Sequence, residues 1–221
     1  MYQPAHFVED DPEILLAAMR AMPLATLIHA ARGELSADPL PMEVERVGDG
    51  WRLTAHVARA NPLWREADGQ PVLVVFQGPQ AYVSPNWYPS KAEHGKMVPT
   101  WNYAVVQVHG RLRAIDDAAW VQAFVTRLTE RHEAGRDQPW HVSDAPADYI
   151  AATARAIVGI EIEVARVEGK FKLSQNRSAA DRAGVVAGLQ ADTAKGMQPD
   201  SGRTAAAMQE AEGRRSSSDP K

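Results

Sequence analysis

Aromatic residues, the side chains that contribute most to a core, stop well before this chain does. Six Trp, five Tyr and four Phe lie between Tyr2 and Phe171, and the last 50 of the 221 residues contain none. A chain divided in this way cannot build two equal globular cores. The distribution predicts one folded body with an extension: a domain over 1–176, a helical extension over 177–212 and a disordered tail over 213–221.

Hydrophobic residues at 45% and charged residues at 24% suit an ordinary soluble domain with a sizeable core. The net charge of −4 gives no whole-protein reason for non-specific binding to nucleic acid or to acidic membranes. The absence of cysteine excludes disulfides, thiol nucleophiles, iron–sulfur clusters and thiolate metal sites together. Met1 to Asp11 lacks a basic segment followed by an apolar run, and no apolar stretch is long enough to cross a bilayer. The expectation is therefore a soluble cytoplasmic protein with no membrane partner. No Gly-x-Gly-x-x-Gly turn, P-loop, paired-histidine zinc helix or Gly-x-Ser-x-Gly elbow is present. No metal site and no catalytic residue is nominated.

Local signals outline a β-rich body. Asp10 and Asp11 followed by Pro12 and Glu13 start a helix, which Pro23 ends. Leu24 to Ala31 reads as a buried strand, and Leu35 to Val47 as an extended edge broken by Pro39 and Pro41. Gly48-Asp49-Gly50 predicts a hairpin into the alternating strand Trp51 to Ala58. Val72 to Phe76 and Ala81 to Ser84 read as two short strands, Asn86 to Val98 as a loop or lid, and Thr100 to Ile115 as a long strand. Helices are expected from Asp116 and from Asp144-Pro146, then a strand over Ile157 to Val167 and a last extended piece at Phe171 to Leu173. Six or seven strands joined mainly by hairpins and loops predict a mainly β fold, an antiparallel barrel with peripheral helices.

Four stretches are polar or aromatic where a plain strand would be aliphatic. His56 to Trp64 ends a strand with Arg59 and opens a helix at Asn61, which suits either an anion cradle or a surface arginine beside a simple cap. Ala81 to Pro89 and Pro99 to Tyr103 set Trp87, Tyr88, Trp101 and Tyr103 among polar residues. Such residues wall a pocket for a flat ligand, or cover a barrel end or a subunit interface. Glu168 to Asn176 alternates, with Lys170 and Lys172 opposite Phe171 and Leu173, a pattern also found on guarded edge strands.

These stretches, with Met1 to Phe7, Ala25 to Leu27, Asp144-Ala145-Pro146 and Ile157-Val158-Gly159, resemble in the same order the PaiB-type family of FMN-binding negative transcriptional regulators. The resemblance runs from Met1 to about Leu189. It implies an antiparallel split β-barrel of the pyridoxamine-phosphate-oxidase type, binding FMN as a homodimer. It nominates His56, Arg59 and Asn61 for the flavin phosphate, with Thr26 or Thr54 less directly. Trp87, Tyr88, Trp101 and Asn102 would flank the ring and ribityl chain, Ser84 joins the cofactor contacts, and Lys172 and Gln175 would reach the site. Asp38-Pro39 departs from the resemblance, because a histidine is expected there.

Two functions follow from the resemblance. One is a repressor that binds DNA, for which the only candidate reader is the basic stretch from Arg177 onward, a segment without large anchoring side chains. The other is a flavin-dependent oxidoreductase or flavin reductase using NAD(P)H. A carrier of flavin or haem without chemistry of its own is a third reading.

Overall fold

The computed structural model describes residues 1–218. Its strands are β1 (Val8–Glu9), β2 (Leu24–Ala31), β3 (Glu34–Pro41), β4 (Glu43–Val47), β5 (Gly50–Ala58), β6 (Pro71–Val83), β7 (Thr100–Ile115) and β8 (Ile157–Lys172). They form one sheet in the order β3-β2-β6-β7-β8-β5-β4, with β1 added on β8. The pairs β2·β3, β2·β6, β4·β5, β5·β8 and β1·β8 are all antiparallel. The helices are α1 (Pro12–Ala21), α2 (Leu63–Glu66), α3 (Lys91–His94), α4 (Ala118–Glu133), α5 (Ala147–Arg155), α6 (Ala179–Ala194) and α7 (Ser201–Ser218). This is the expected class, a mainly antiparallel sheet with flanking helices. Among the described residues, no helix is long and apolar enough to cross a membrane.

The chain divides into two compact units. The first comprises Met1–Leu15, Gln77–Val106 and the chain from Glu168 onward, and the second Leu16–Phe76 and Gln107–Val167. In the second unit the hairpin signal is realised as Val47 paired with Gly50, and Gly48 takes the positive φ of 59° that the turn requires. The alternation of β5 buries Leu53, Ala55 and Val57, which join Val44, Phe124, Ile160 and Ile162 in the core. Trp120 stacks on Phe124 at 5.2 Å between ring centroids. Asp117, one residue later than expected, caps α4 by accepting the Trp120 N–H at 2.9 Å.

The first unit differs most from the sequence-based expectation. Val72–Phe76 and Ala81–Ser84 are not two strands, because β6 runs unbroken through Gly78-Pro79. β2 accompanies β6 over Leu73–Val75, and past that stretch the strand has an edge that tolerates a proline. The strand expected over Ile157 to Val167 likewise continues without a break to Lys172, with Gly169 inside β8 and paired with Glu9.

Residues 177–212 carry α6 and most of α7, and they cluster in the first unit with Met1–Leu15 and Gln77–Val106. Val185 and Leu189 of α6, with Ala205 and Met208 of α7, are buried in the first unit. Gly213 to Ser218 of the expected disordered tail continue α7, and residues 219–221 lie outside the described residues. The physical reason is that the aromatic-free helices complete their core with an aromatic from far earlier in the chain. The indole of Trp87 lies so close to α6 that a Cβ on Gly188 would stand 2.2 Å from it. Farther along, the side-chain amide of Gln198 accepts the Tyr82 N–H at 2.7 Å and donates to the Tyr82 carbonyl at 3.3 Å, as a neighbouring strand would.

Candidate functional site

Three of the nominated residues lie in the second unit, and all three are engaged with the protein itself. Arg59 follows β5 and forms a two-pronged pair with Asp116, at 2.9 and 2.6 Å, while its Nε donates to the Arg155 carbonyl at 2.7 Å. The hydrogen bond between them holds the Asp116 carboxyl below its usual range. Asn61 accepts the Leu63 N–H on Oδ1 at 2.9 Å and donates from Nδ2 to Asp38 at 2.9 Å. Asp38, the departure from the family pattern, therefore has a structural partner, and its other oxygen stands 3.9 Å from Nε2 of the buried His29. Replacing Asn61 with alanine is expected to lower stability by about 1 kcal/mol through loss of its two hydrogen bonds. An unchanged thermal midpoint would show that they contribute nothing.

His56 is half-buried on β5, edge-on to Phe124 at 5.8 Å. Burial lowers its pKa, so the ring is held neutral, and its Nδ1 is buried without a hydrogen bond. Of the weaker nominations, Thr54 is buried and Thr26 half-buried.

The other seven nominated residues lie in the first unit. Ser84 caps the turn before Trp87 by accepting the Asn86 N–H at 3.3 Å. Trp87 is packed on the glycines of α6. Asn102 is fully buried and donates from Nδ2 to Ser174 Oγ at 3.0 Å and to Met208 Sδ at 3.3 Å. Gln175 folds back on its own strand, accepting the Leu173 N–H at 2.6 Å and donating to the Phe171 carbonyl. These four are occupied by structural contacts.

Lys172, Trp101 and Tyr88 offer more. The Lys172 ammonium donates to Thr100 Oγ1 at 2.5 Å and to the Trp101 carbonyl, and lies 6.0 Å over the Tyr103 ring. Burial, then the charges of Lys170 and Arg177, lower its pKa. Trp101 itself is 51% exposed, edge-on to Tyr82. Tyr88 is only 2% exposed, and its ring lies under the Arg177 guanidinium at 5.2 Å. Its hydroxyl has no hydrogen bond of good geometry, and burial raises its pKa, so it stays protonated. Ser174, beside this group in sequence, has a φ of 64°, a strained value for a residue with a side chain.

Sequence reading named Arg177 only as the start of a basic stretch and did not single out Thr100, Ser174 or His29 as site residues. A strained φ and a buried histidine on an ordinary strand leave no local signal. The lysine face of β8 did signal Lys172, but not which residues would surround it.

These residues suit a flavin. A half-exposed indole offers a face for a planar ring, and a partly desolvated ammonium suits an electron-rich edge. Comparison with known proteins points the same way. Residues 1–166 match the family model described as "Putative FMN-binding domain". The chain is similar to the Protease synthase and sporulation protein PAI 2 of Bacillus subtilis, 31% identical over 191 residues that cover 86% of this chain and 89% of that protein. Its fold is similar to that of the FAD and heme binding protein from Mycobacterium smegmatis, with a TM-score of 0.57 and 19% identity, covering 80% of this chain and 78% of that one. The flavocytochrome Anf3 from Azotobacter vinelandii gives 0.53 and 18%, covering 80% and 75%.

Proposed function

The chain belongs to the family of FMN-binding domains, whose model spans its residues 1–166, and from this we propose that it works as an FMN-dependent redox protein holding the flavin at Lys172 and Trp101. The observation that carries the reading is the half-buried Lys172 ammonium, which donates to the backbone carbonyl of Trp101, a residue whose indole is half-exposed. When bound there, FMN supplies the capacity to accept and return electrons. Lys172 would hold positive charge against the ring edge, fixed by Thr100 Oγ1 and the Trp101 carbonyl. Trp101 would cover one ring face.

The reading favours a flavin reductase or oxidoreductase over a direct DNA reader. The helices that would have to read DNA have their faces and several charges committed elsewhere. Val185, Leu189, Ala205 and Met208 face the core, Arg182 pairs with Glu212 at 2.6 Å, and Arg203 with Asp200 at 3.3 Å. Regulation of the kind named for the B. subtilis relative would then run through the flavin. The homodimer that the resemblance implies is part of the proposal, with exposed Tyr82, Val98 and Trp101 supplying apolar area for it.

The test is to titrate the purified chain with FMN, then assay NAD(P)H oxidation and DNA mobility shift on the same sample. Visible flavin absorption with NAD(P)H turnover and no shift is the expected result, and a chain that does not take up FMN overturns the reading. Lys172→Met is expected to weaken FMN about tenfold or more. Unchanged affinity in a folded Lys172→Met variant would remove this corner from the site.

A further inference from the structure

Aromatic rings and lysines alternate along one sheet face of the first unit. Trp101 and Tyr103 stand two apart on β7, and Lys170 and Lys172 two apart on β8, so each pair projects to a single side of its strand. Asn102 and Phe171, the residues between them, are buried on the other side. β6, β7 and β8 are neighbours in the sheet, and the Tyr82 ring of β6 lies edge-on to the Trp101 indole, with 6.2 Å between centroids. The Lys172 ammonium donates to the Trp101 carbonyl and lies 6.0 Å from the centre of the Tyr103 ring. Lys170 lies 5.5 Å from that same ring and 5.6 Å from the ring of Tyr2. These contacts form a continuous row, and it is open to solvent, because Tyr2, Trp101 and Tyr82 are 84%, 51% and 38% exposed.

Among the described residues neither lysine is in an ion pair. Lys172 is held by a hydroxyl and a carbonyl, and Lys170 by two tyrosine rings. The charges that act on Lys172 are the like charges of Lys170 and Arg177. Glu168, the nearest acid along β8, pairs with the Met1 amino group at 2.9 Å. An anion brought to this face would therefore relieve repulsion between cations.

A single-stranded nucleic acid repeats the complementary chemistry, since each nucleotide carries one flat base and one negative phosphate. Any base can stack on an aromatic ring, and a phosphate is matched by an ammonium. In a duplex the base faces are stacked on one another, and the rings would find none. We propose that this sheet face binds single-stranded nucleic acid, with bases stacked on Tyr2, Trp101 and Tyr82 and phosphates at Lys170 and Lys172. The proposal goes beyond the flavin reading and overlaps it at Trp101 and Lys172. Its test therefore turns on Tyr2 and Lys170, which that reading does not use.

Labelled oligothymidylate and oligouridylate, each about 12 nucleotides long, are titrated with the full chain without added FMN and followed by fluorescence anisotropy, one arm for DNA and one for RNA. At least one strand is expected to bind saturably, and a duplex of the same length about tenfold more weakly or worse. Two phosphate contacts predict a slope of about −1.4 for the logarithm of affinity against the logarithm of salt concentration, and Lys170→Gln should reduce it to about −0.7. Tyr2→Ala should weaken binding about fivefold or more and leave the slope unchanged, because a ring contributes stacking and no charge. Tyr2 is almost fully exposed, so its replacement does not threaten the fold. The proposal is overturned if neither strand binds saturably, if the duplex binds as tightly as the single strands, or if either variant binds as the wild type does. None of these outcomes depends on FMN uptake.

Discussion

Replacing Gly184 with alanine is expected to destabilise the protein by about 3 kcal/mol, and the same change at Gly188 by about 2 kcal/mol, in equilibrium urea unfolding. Both glycines lie in α6, where alanine is normally the better residue by about 1 kcal/mol. Helix propensity alone therefore predicts stabilisation. Packing reverses the sign at both sites. A Cβ on Gly188 would stand 2.2 Å from the Trp87 indole, and one on Gly184 would stand 2.1 Å from the Trp87 backbone oxygen. An indole can turn aside at some cost, whereas a backbone carbonyl in a capped turn cannot move without moving the chain. The two substitutions should consequently respond differently when Trp87→Ala is the background. Gly188→Ala should become neutral or stabilising there, and Gly184→Ala should remain costly. If Gly188→Ala costs the same with and without the indole, α6 is not seated on Trp87.

Asp181 is the second large contribution. It is 3% exposed, and its carboxylate accepts the Ser90 N–H at 3.1 Å and the Ser90 hydroxyl at 2.9 and 2.8 Å. Asp181→Ala removes a charged acceptor and leaves buried donors unmet, a loss of about 3 kcal/mol. Burial alone would raise this carboxyl's pKa. The Ser90 N–H and hydroxyl and the Ser178 hydroxyl outweigh it, and the pKa is held below the usual aspartate value. Because the folded pKa is the lower one, the unfolded chain binds the proton more readily. The stabilisation is thus fully present above the ordinary aspartate pKa of about 3.9 and is lost as pH falls through the folded value. Urea midpoints measured on acidification should fall more steeply for the wild type than for Asp181→Asn. Parallel curves would mean that Asp181 carries no linked proton.

What the sequence made legible was local. Gly48-Asp49-Gly50 marked a hairpin because a tight turn demands a positive φ, and that demand acts on the residues in the turn themselves. Val185 and Leu189, four positions apart, form an apolar stripe on α6 that is buried. What remained hidden was the identity of the surface that the stripe would meet. Gly184 and Gly188 read as mere weak points in a helix until Trp87, nearly a hundred positions earlier, is laid against them. The candidate site divides along the same line. Motifs singled out Lys172 and Trp101, but they equally singled out Arg59, whose guanidinium is held by Asp116 from a distant part of the chain. A motif specifies which side chains are present, and long-range pairing decides which of them are left to meet a ligand.

Gln198 carries a consequence for solubility. A strand edge with free N–H and C=O groups is a template on which another chain can add a strand and begin a fibrillar stack. In β6 that position is Tyr82, flanked by apolar residues and close to the exposed Trp101, and one glutamine amide takes up both of its backbone groups. Gln198 thus acts as a one-residue stopper against cross-chain strand addition. Any truncation before residue 198 would remove the stopper while leaving the aromatic edge in place.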